Sequence, residues 1–279
     1  MTKKRILTAQ DISCIGKCSL AVALPIISAC GAEAAPLPTA YLSSHTAFPD
    51  YYFRPLTEEM ENSVSKFVSQ KVLFDGIYSG FLGERRQIKI LSEAADKLRK
   101  DGAFVIIDPA MADFGELYPC FDGGFVEDMK EYIKKADVIV PNLTEAAILT
   151  DTPYKNCGYG RDYVEKIIKK LSDGKRKVVI TGISFDDGKV GAYGYDGEKY
   201  FYVADKKFDG RFYGTGDIFA SVLCGKLSAG DEFVPAVKAA VSFTAESIKQ
   251  TVESRDRVWY GVEFEIILHK LSDDRRSEN

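Results

Sequence analysis

Phe212-Tyr213-Gly214-Thr215-Gly216-Asp217-Ile218-Phe219-Ala220 sets two glycines around a threonine, an aspartate directly after them and an apolar run behind. The run reads as the opening of a helix over roughly 218–227. Glycines let the backbone approach a ligand closely. Amides at a helix start lack intrahelical partners and carry partial positive charge. Together they make a cradle for an anion. A carboxylate is poorly suited to hold phosphate itself. Asp217 is well suited to take the proton of a hydroxyl that attacks one, so the stretch points to phosphoryl transfer.

Working outward, short apolar strands alternate with amphipathic helices, the pattern of a doubly wound α/β sheet. Strands are expected over 6–10, 72–74, 104–107, 138–140 and 178–180. Helices are expected over 19–30, 57–70, 84–100, 127–135 and 163–171, with a short one from Thr144. Ser19 and Thr57 read as N-caps. Residues 190–195 and 199–203 read as a hairpin around Asp196-Gly197. Helices follow over 218–227 and 233–251, with a further one near 263–271. Pro36 and Pro38 restrict 33–41 to an edge strand or a separate small sheet. The aromatic segment after it looks like a flap, placed at about 36–56. No repeat or composition break appears, so 1–279 reads as a single domain with a charged tail at 272–279.

A hydrophobic fraction of 46% and a charged fraction of 28% suit a soluble globular chain. The net charge of −4, with no basic patch, argues against nucleic acid. No run is long and apolar enough to span a bilayer. The six cysteines form no CxxC pair, and the two histidines lack zinc-site spacing; mostly buried, reduced thiols are expected. Lys3-Lys4-Arg5 before the apolar run 20–29 and Cys30 imitates a lipoprotein signal. Asp11 and Lys17 interrupt the approach to that run, 6–9 already reads as a strand, and Pro25 and Gly31 suit a short helix. A cytoplasmic protein is therefore expected over a secreted ligand-binding lipoprotein.

Asp11, Asp108, Asn142 and Thr181 each follow an apolar strand. In a parallel sheet those ends share one edge, where ligands bind. Asp108, Asp113, Asn142 and Glu145 supply oxygen ligands that suit a nucleotide-bound magnesium, held directly or through water. No Walker A sequence occurs, and Gly214-Thr215-Gly216 lacks the third glycine of a dinucleotide fingerprint.

These residues resemble the ribokinase-like superfamily, and within it the pyridoxal (vitamin B6) kinases. Five blocks carry the resemblance: Gln10-Asp11-Ile12-Ser13 with Gly16-Lys17-Cys18-Ser19-Leu20; Leu42-Ser43-Ser44-His45-Thr46; Asp108-Pro109-Ala110-Met111-Ala112-Asp113; Pro141-Asn142-Leu143-Thr144-Glu145; and Gly214 to Asp217. The resemblance implies a three-layer, mostly parallel sheet and phosphorylation of a hydroxymethyl group by ATP with Mg2+, a monovalent cation such as K+ being a possible addition. It implies Asp217 as the base and the amides of Gly214, Thr215 and Gly216 as the anion hole. Asn142, Glu145 and Thr181 fall to the nucleotide, and Asp108, Asp113 and Glu145 to the metal. Asp11, Ser13, His45, Thr46 and Phe81 fall to the acceptor, Phe81 standing where some members carry tyrosine. Val140 replaces a frequent threonine, and Tyr78 lies off register. A homodimer is also implied. A hydroxymethylpyrimidine or dual-specificity kinase is the nearest alternative, since Asp11 suits those enzymes equally. A binding or regulatory protein on the same scaffold is the other.

Overall fold

The computed structural model describes residues 3–272. In chain order it begins with β1 (Arg5–Ser13), α1 (Leu20–Ala29), β2 (Glu33–Leu42), β3 (Phe53–Pro55), α2 (Thr57–Ser69) and β4 (Phe74–Ser79). Then come α3 (Arg85–Lys97), β5 (Arg99–Ile107), the ribbon β6 (Ala112–Asp113) and β7 (Glu116–Leu117), α4 (Gly123–Tyr132) and β8 (Val138–Ile139). The chain continues through α5 (Leu143–Leu149), α6 (Arg161–Ser172), β9 (Lys177–Ile183), β10 (Lys189–Tyr195) and β11 (Tyr200–Lys206). It closes with α7 (Thr215–Ser228), α8 (Phe233–Glu253) and a 3-10 segment, Glu265–Leu271.

Among the described residues, nine strands form one sheet in the order β11-β10-β9-β8-β5-β4-β1-β2-β3. Pairing is parallel from β2 through β9 and antiparallel at both flanks. One face packs on α2 to α6, through Met60, Leu91, Met129, Ala146 and Ile167 among others. The other packs on α1, α7 and α8, through Ile26, Val222 and Val237. This is the three-layer, mostly parallel α/β architecture expected from the sequence. With helices on both faces, the central strands carry apolar side chains on both sides.

Residues Ile218 to Gly225 of α7 are all buried, because the helix is sandwiched rather than laid on a surface. Val22, Ala23, Ile26 and Ile27 of α1 are fully buried as well. The run that imitates a signal peptide is thus a core helix here, and cleavage before Cys30 would strip β1 and α1 from the fold. No helix among the described residues is long and apolar enough to cross a membrane.

Several boundaries differ from expectation. β1 extends through Ser13, so Asp11 and Ser13 lie within a strand, not in a loop. β4 begins at Phe74 and absorbs Asp75 to Ser79. The expected flap at 36–56 divides: 36–42 belongs to β2, with Leu37, Ala40 and Leu42 buried, 53–55 is β3, and only 43–52 loops outward. β2 tolerates its prolines because β3 pairs only with Ala40 to Leu42, leaving the Pro36–Pro38 side unpaired. Ser19 occupies the N-cap of α1 and Leu56, not Thr57, that of α2, but neither predicted hydroxyl caps its helix. The Ser19 hydroxyl turns to Asp11, and the Thr57 hydroxyl accepts from Gln87 Nε2 at 2.9 Å. Cys30 and Cys224 are buried, but Cys14, Cys120 and Cys157 are exposed. The tail from Asp273 lies outside the described residues.

Candidate active site

Gly214 occupies the N-cap of α7 in the left-handed region, with φ 79°. A Cβ at this position would overlap the Lys17 carbonyl oxygen, so only glycine lets the 14–19 loop close over the helix start. Helical hydrogen bonding begins with Ile218 N–H donating to Gly214 O at 3.0 Å. The amides before Ile218 therefore have no partner within the helix. The Thr215 hydroxyl donates back to Phe212 O at 3.2 Å and closes the turn.

Asp217 follows in the first turn, half-buried, where the Ser19 backbone N–H hydrogen-bonds its carboxylate. Desolvation pushes its pKa up to about 7, the Asp11 charge adds to the rise, and the Ser19 bond opposes it. A carboxyl so poised can take up a proton near neutrality.

Asp11 is buried, and its two oxygens accept from the hydroxyls of Ser13, at 2.8 Å, and Ser19. Burial raises its pKa, while both hydroxyl bonds work against the shift. The carboxylate thus ties the strand end to the loop that meets Asp217.

Asp108 follows β5, and its pKa is raised well above the ordinary value by desolvation and then by the charges of Glu145 and Asp217. Glu145 is buried at the start of α5. Its Oε1 accepts from Met111 N–H at 3.1 Å and its Oε2 from Asn142 N–H at 2.8 Å. Asn142 Oδ1 accepts from Glu145 N–H at 2.9 Å, completing a reciprocal capping box. Asn142 Nδ2 donates to Ala112 O at 2.8 Å, which holds the β6–β7 ribbon against α5. Thr181 lies inside β9, bridged to Asn142 through its N–H donating to Pro141 O at 3.0 Å. Asp113 is exposed in the ribbon, and its Oδ1 accepts from Phe114 N–H at 2.9 Å.

Glu145 and Asp217 both act on Asp108, so carboxyl groups gather at this edge of the sheet. Among the described residues no group of three or more His, Cys, Asp or Glu could itself hold a metal ion. The donor set fits a magnesium that keeps water and phosphate oxygens in its shell rather than a protein cage.

On the rim, His45 is buried and uses both ring nitrogens. Nε2 lies 3.0 Å from Tyr260 O, and Nδ1 accepts from Ala47 N–H at 3.1 Å, which makes the ring neutral with the proton on Nε2. Desolvation lowers its pKa. Its ring meets Phe48, Tyr213 and Trp259 at 5.0, 5.0 and 5.9 Å between centroids. Thr46, next in the chain, is exposed. Phe81 packs with Ala40 and Leu42, its ring 5.5 Å from that of Phe121.

The arrangement brings Asp11, Ser13, Asp108, Asn142, Glu145, Thr181 and the 214–217 loop to the carboxyl edge of the parallel strands. Two features were missed from sequence. Tyr118 has its pKa raised by desolvation and then by Glu145, Asp113, Asp108 and Asp217, so its hydroxyl sits among the carboxylates, while its ring lies 6.3 Å from Phe121. Trp259 and Tyr260 close an aromatic cluster with Phe48, at 4.4 and 5.6 Å. Trp259 is the single tryptophan of the chain, the one signal that might have marked that segment.

A family model described as phosphomethylpyrimidine kinase matches residues 24–259. A presumed phosphomethylpyrimidine kinase from Bacteroides thetaiotaomicron, crystallised with pyridoxal, superposes with a TM-score of 0.92 at 36% identity, over 98% of this chain and 96% of its own. The pyridoxal kinase of Lactobacillus plantarum gives 0.90 at 26% identity, with 99% of each chain covered. The pyridoxal kinase of Dictyostelium discoideum is 26% identical over 272 residues, 91% of this chain and 88% of its own.

Proposed function

The chain belongs to the phosphomethylpyrimidine kinase family, and on that premise we propose that it transfers the γ-phosphoryl group of ATP to the hydroxymethyl oxygen of a B6 vitamer. The observation that carries this reading is Asp217, a carboxyl with a pKa of about 7 placed in the first turn of α7 beside unpartnered amides. Similarity to pyridoxal kinases, and to a neighbour crystallised with pyridoxal, supports the acceptor class.

In the proposed reaction a bond forms between the hydroxymethyl oxygen and the γ-phosphorus. The bond from that phosphorus to the β–γ bridging oxygen breaks, and ADP leaves. Asp217 receives the hydroxyl proton. The amides of Gly214, Thr215 and Gly216 face the charge on the transferring group, the main source of catalysis in such reactions. Asn142 and Thr181 border the nucleotide. Asp108 would hold Mg2+, with Glu145 and Asp113 acting through water, because the Glu145 oxygens already accept backbone N–H groups. A magnesium ion held there would supply positive charge to the phosphate oxygens. K+ is a further candidate for the phosphate side. Asp11 and Ser13 shape the acceptor end, Phe81 offers a ring face, and the 43–52 loop with His45 and Thr46 covers it. The proposal includes a single-domain, cytoplasmic homodimer that binds no nucleic acid and no membrane.

A hydroxymethylpyrimidine acceptor is the second reading, favoured by the family model itself. Measuring ADP release with pyridoxal, pyridoxamine, pyridoxine and hydroxymethylpyrimidine separates the two. The B6 vitamers should be turned over at the highest kcat/KM. Preference for the pyrimidine would replace the first reading with the second, and no turnover with any of the four would overturn both.

A further inference from the structure

Arg211 precedes the anion loop, and its guanidinium lies over the ring of Phe114 at 4.5 Å from the centroid. Phe114 stands at the tip of the β6–β7 ribbon with φ 52° and is largely exposed. One Arg211 N–H points to the Tyr213 hydroxyl at 3.5 Å, and the Asp113 charge favours the guanidinium from the ribbon side. The contact therefore spans two walls of the cleft, the segment before α7 and the ribbon after Asp108.

Charge balance gives this contact a purpose. Asp108, Glu145 and Asp217 bring three carboxyl groups to this edge, with Asp113 on the ribbon beside them, so a polyphosphate bound here needs cationic partners. The Lys17 ammonium, on the loop that meets Gly214, is by contrast paired with Glu263 and Glu265 at 2.9 and 3.1 Å. A guanidinium stacked on a ring uses its face and keeps its in-plane N–H donors for an acceptor, and that planar fork suits phosphate.

We infer that Arg211 is a phosphate-binding residue for the polyphosphate chain of the nucleotide, held over the cleft by Phe114. The inference rests on the kinase reading above.

Calorimetric titration of ADP and of adenosine into the full-length protein tests it, with Arg211→Ala, Arg211→Lys and Phe114→Ala as variants. Arg211→Ala should weaken ADP binding roughly 10–100-fold, the range for one charge-assisted hydrogen bond, and leave adenosine unchanged. Arg211→Lys should recover part of the loss. Phe114→Ala should weaken ADP binding by a smaller factor than Arg211→Ala, about 2–5-fold, since it removes the ring that holds the guanidinium and leaves the charge. Unchanged ADP affinity in Arg211→Ala overturns the inference. Equal weakening of ADP and adenosine also overturns it and makes Arg211 a clasp for the ribbon. Absence of ADP binding to the unaltered protein defeats the kinase reading itself, a result distinct from either.

Discussion

Ser19 donates its backbone N–H to the carboxylate of Asp217. The same residue donates its hydroxyl to Asp11, and both bonds depend on the 14–19 loop lying against the start of α7. Asp11 thereby sets the position of a donor that contacts the proposed base. Asp11→Asn replaces one acceptor oxygen with an NH2 group that faces a hydroxyl. It should destabilise the fold by about 1.5–3 kcal/mol in urea denaturation, as expected for hydrogen bonds to a charged group. Ser19→Ala keeps the N–H and loses only the hydroxyl, so turnover should fall less than about tenfold.

Asp217→Asn should lower turnover by about 10²–10⁴, the usual range for a general base. In the unaltered protein, kcat should rise with pH through about 7 as the carboxyl ionises. Stability should move the other way. The folded pKa lies above the unfolded value, so the folded state binds the extra proton between about 4 and 7, and stability from this group falls as pH rises across that window. Asp217→Asn should therefore raise Tm at pH 8, by about 2–4 °C for each kcal/mol recovered, and the gain should shrink toward pH 5. Thermal melts at the two pH values check the sign.

Gly214→Ala places a methyl group against the Lys17 carbonyl and forces a side chain into φ 79°. The backbone penalty is about 1–3 kcal/mol. Because the loop must move to relieve it, turnover should fall by about 10²–10³, comparable to losing an oxyanion donor. Steady-state kinetics beside a urea midpoint separates the two effects.

His45→Ala removes the Nε2 bond that joins the 43–52 loop to Tyr260 O, and the bond from Ala47 N–H that holds the loop's own turn. The KM for the acceptor should rise about 3–10-fold with little change in the KM for ATP, since each net hydrogen bond is worth about 1 kcal/mol. Trp259 loses a neighbouring ring at 5.9 Å, and as the single tryptophan its emission should shift to the red. Unchanged emission together with unchanged acceptor KM would detach the loop from the acceptor site.

The layered α/β frame was legible because its signals are local. The run Phe104-Val105-Ile106-Ile107 ends in Asp108-Pro109, and Asp196-Gly197 marks the β10–β11 turn. What failed depends on contacts distant in sequence. A hydroxyl at a helix start reads as a cap, yet Thr57 meets Gln87 and Ser19 meets Asp11, neither in the same helix. Polar Asp11 and Ser13 looked like loop residues, but β1 continues past the apolar core, and its polar end sits at the ligand edge of the sheet. The aromatic cluster joins Phe48 to Trp259 across most of the chain with no periodicity to betray it. Asp108, Asn142, Glu145 and Asp217 were legible as candidates because each stands at the end of a strand or the start of a helix, a position that local sequence marks. Tyr118 was not, because its place among the carboxylates comes from the β6–β7 ribbon, four residues in all, which is too short to read.

The most direct test of the central claim is to follow the protein with ATP, Mg2+ and pyridoxal by 31P NMR. The predicted result is loss of the γ-phosphate resonance matched by growth of one phosphomonoester, identified as pyridoxal 5′-phosphate, with ADP formed in equal amount. ATP left intact, or inorganic phosphate appearing in place of the ester, would contradict it.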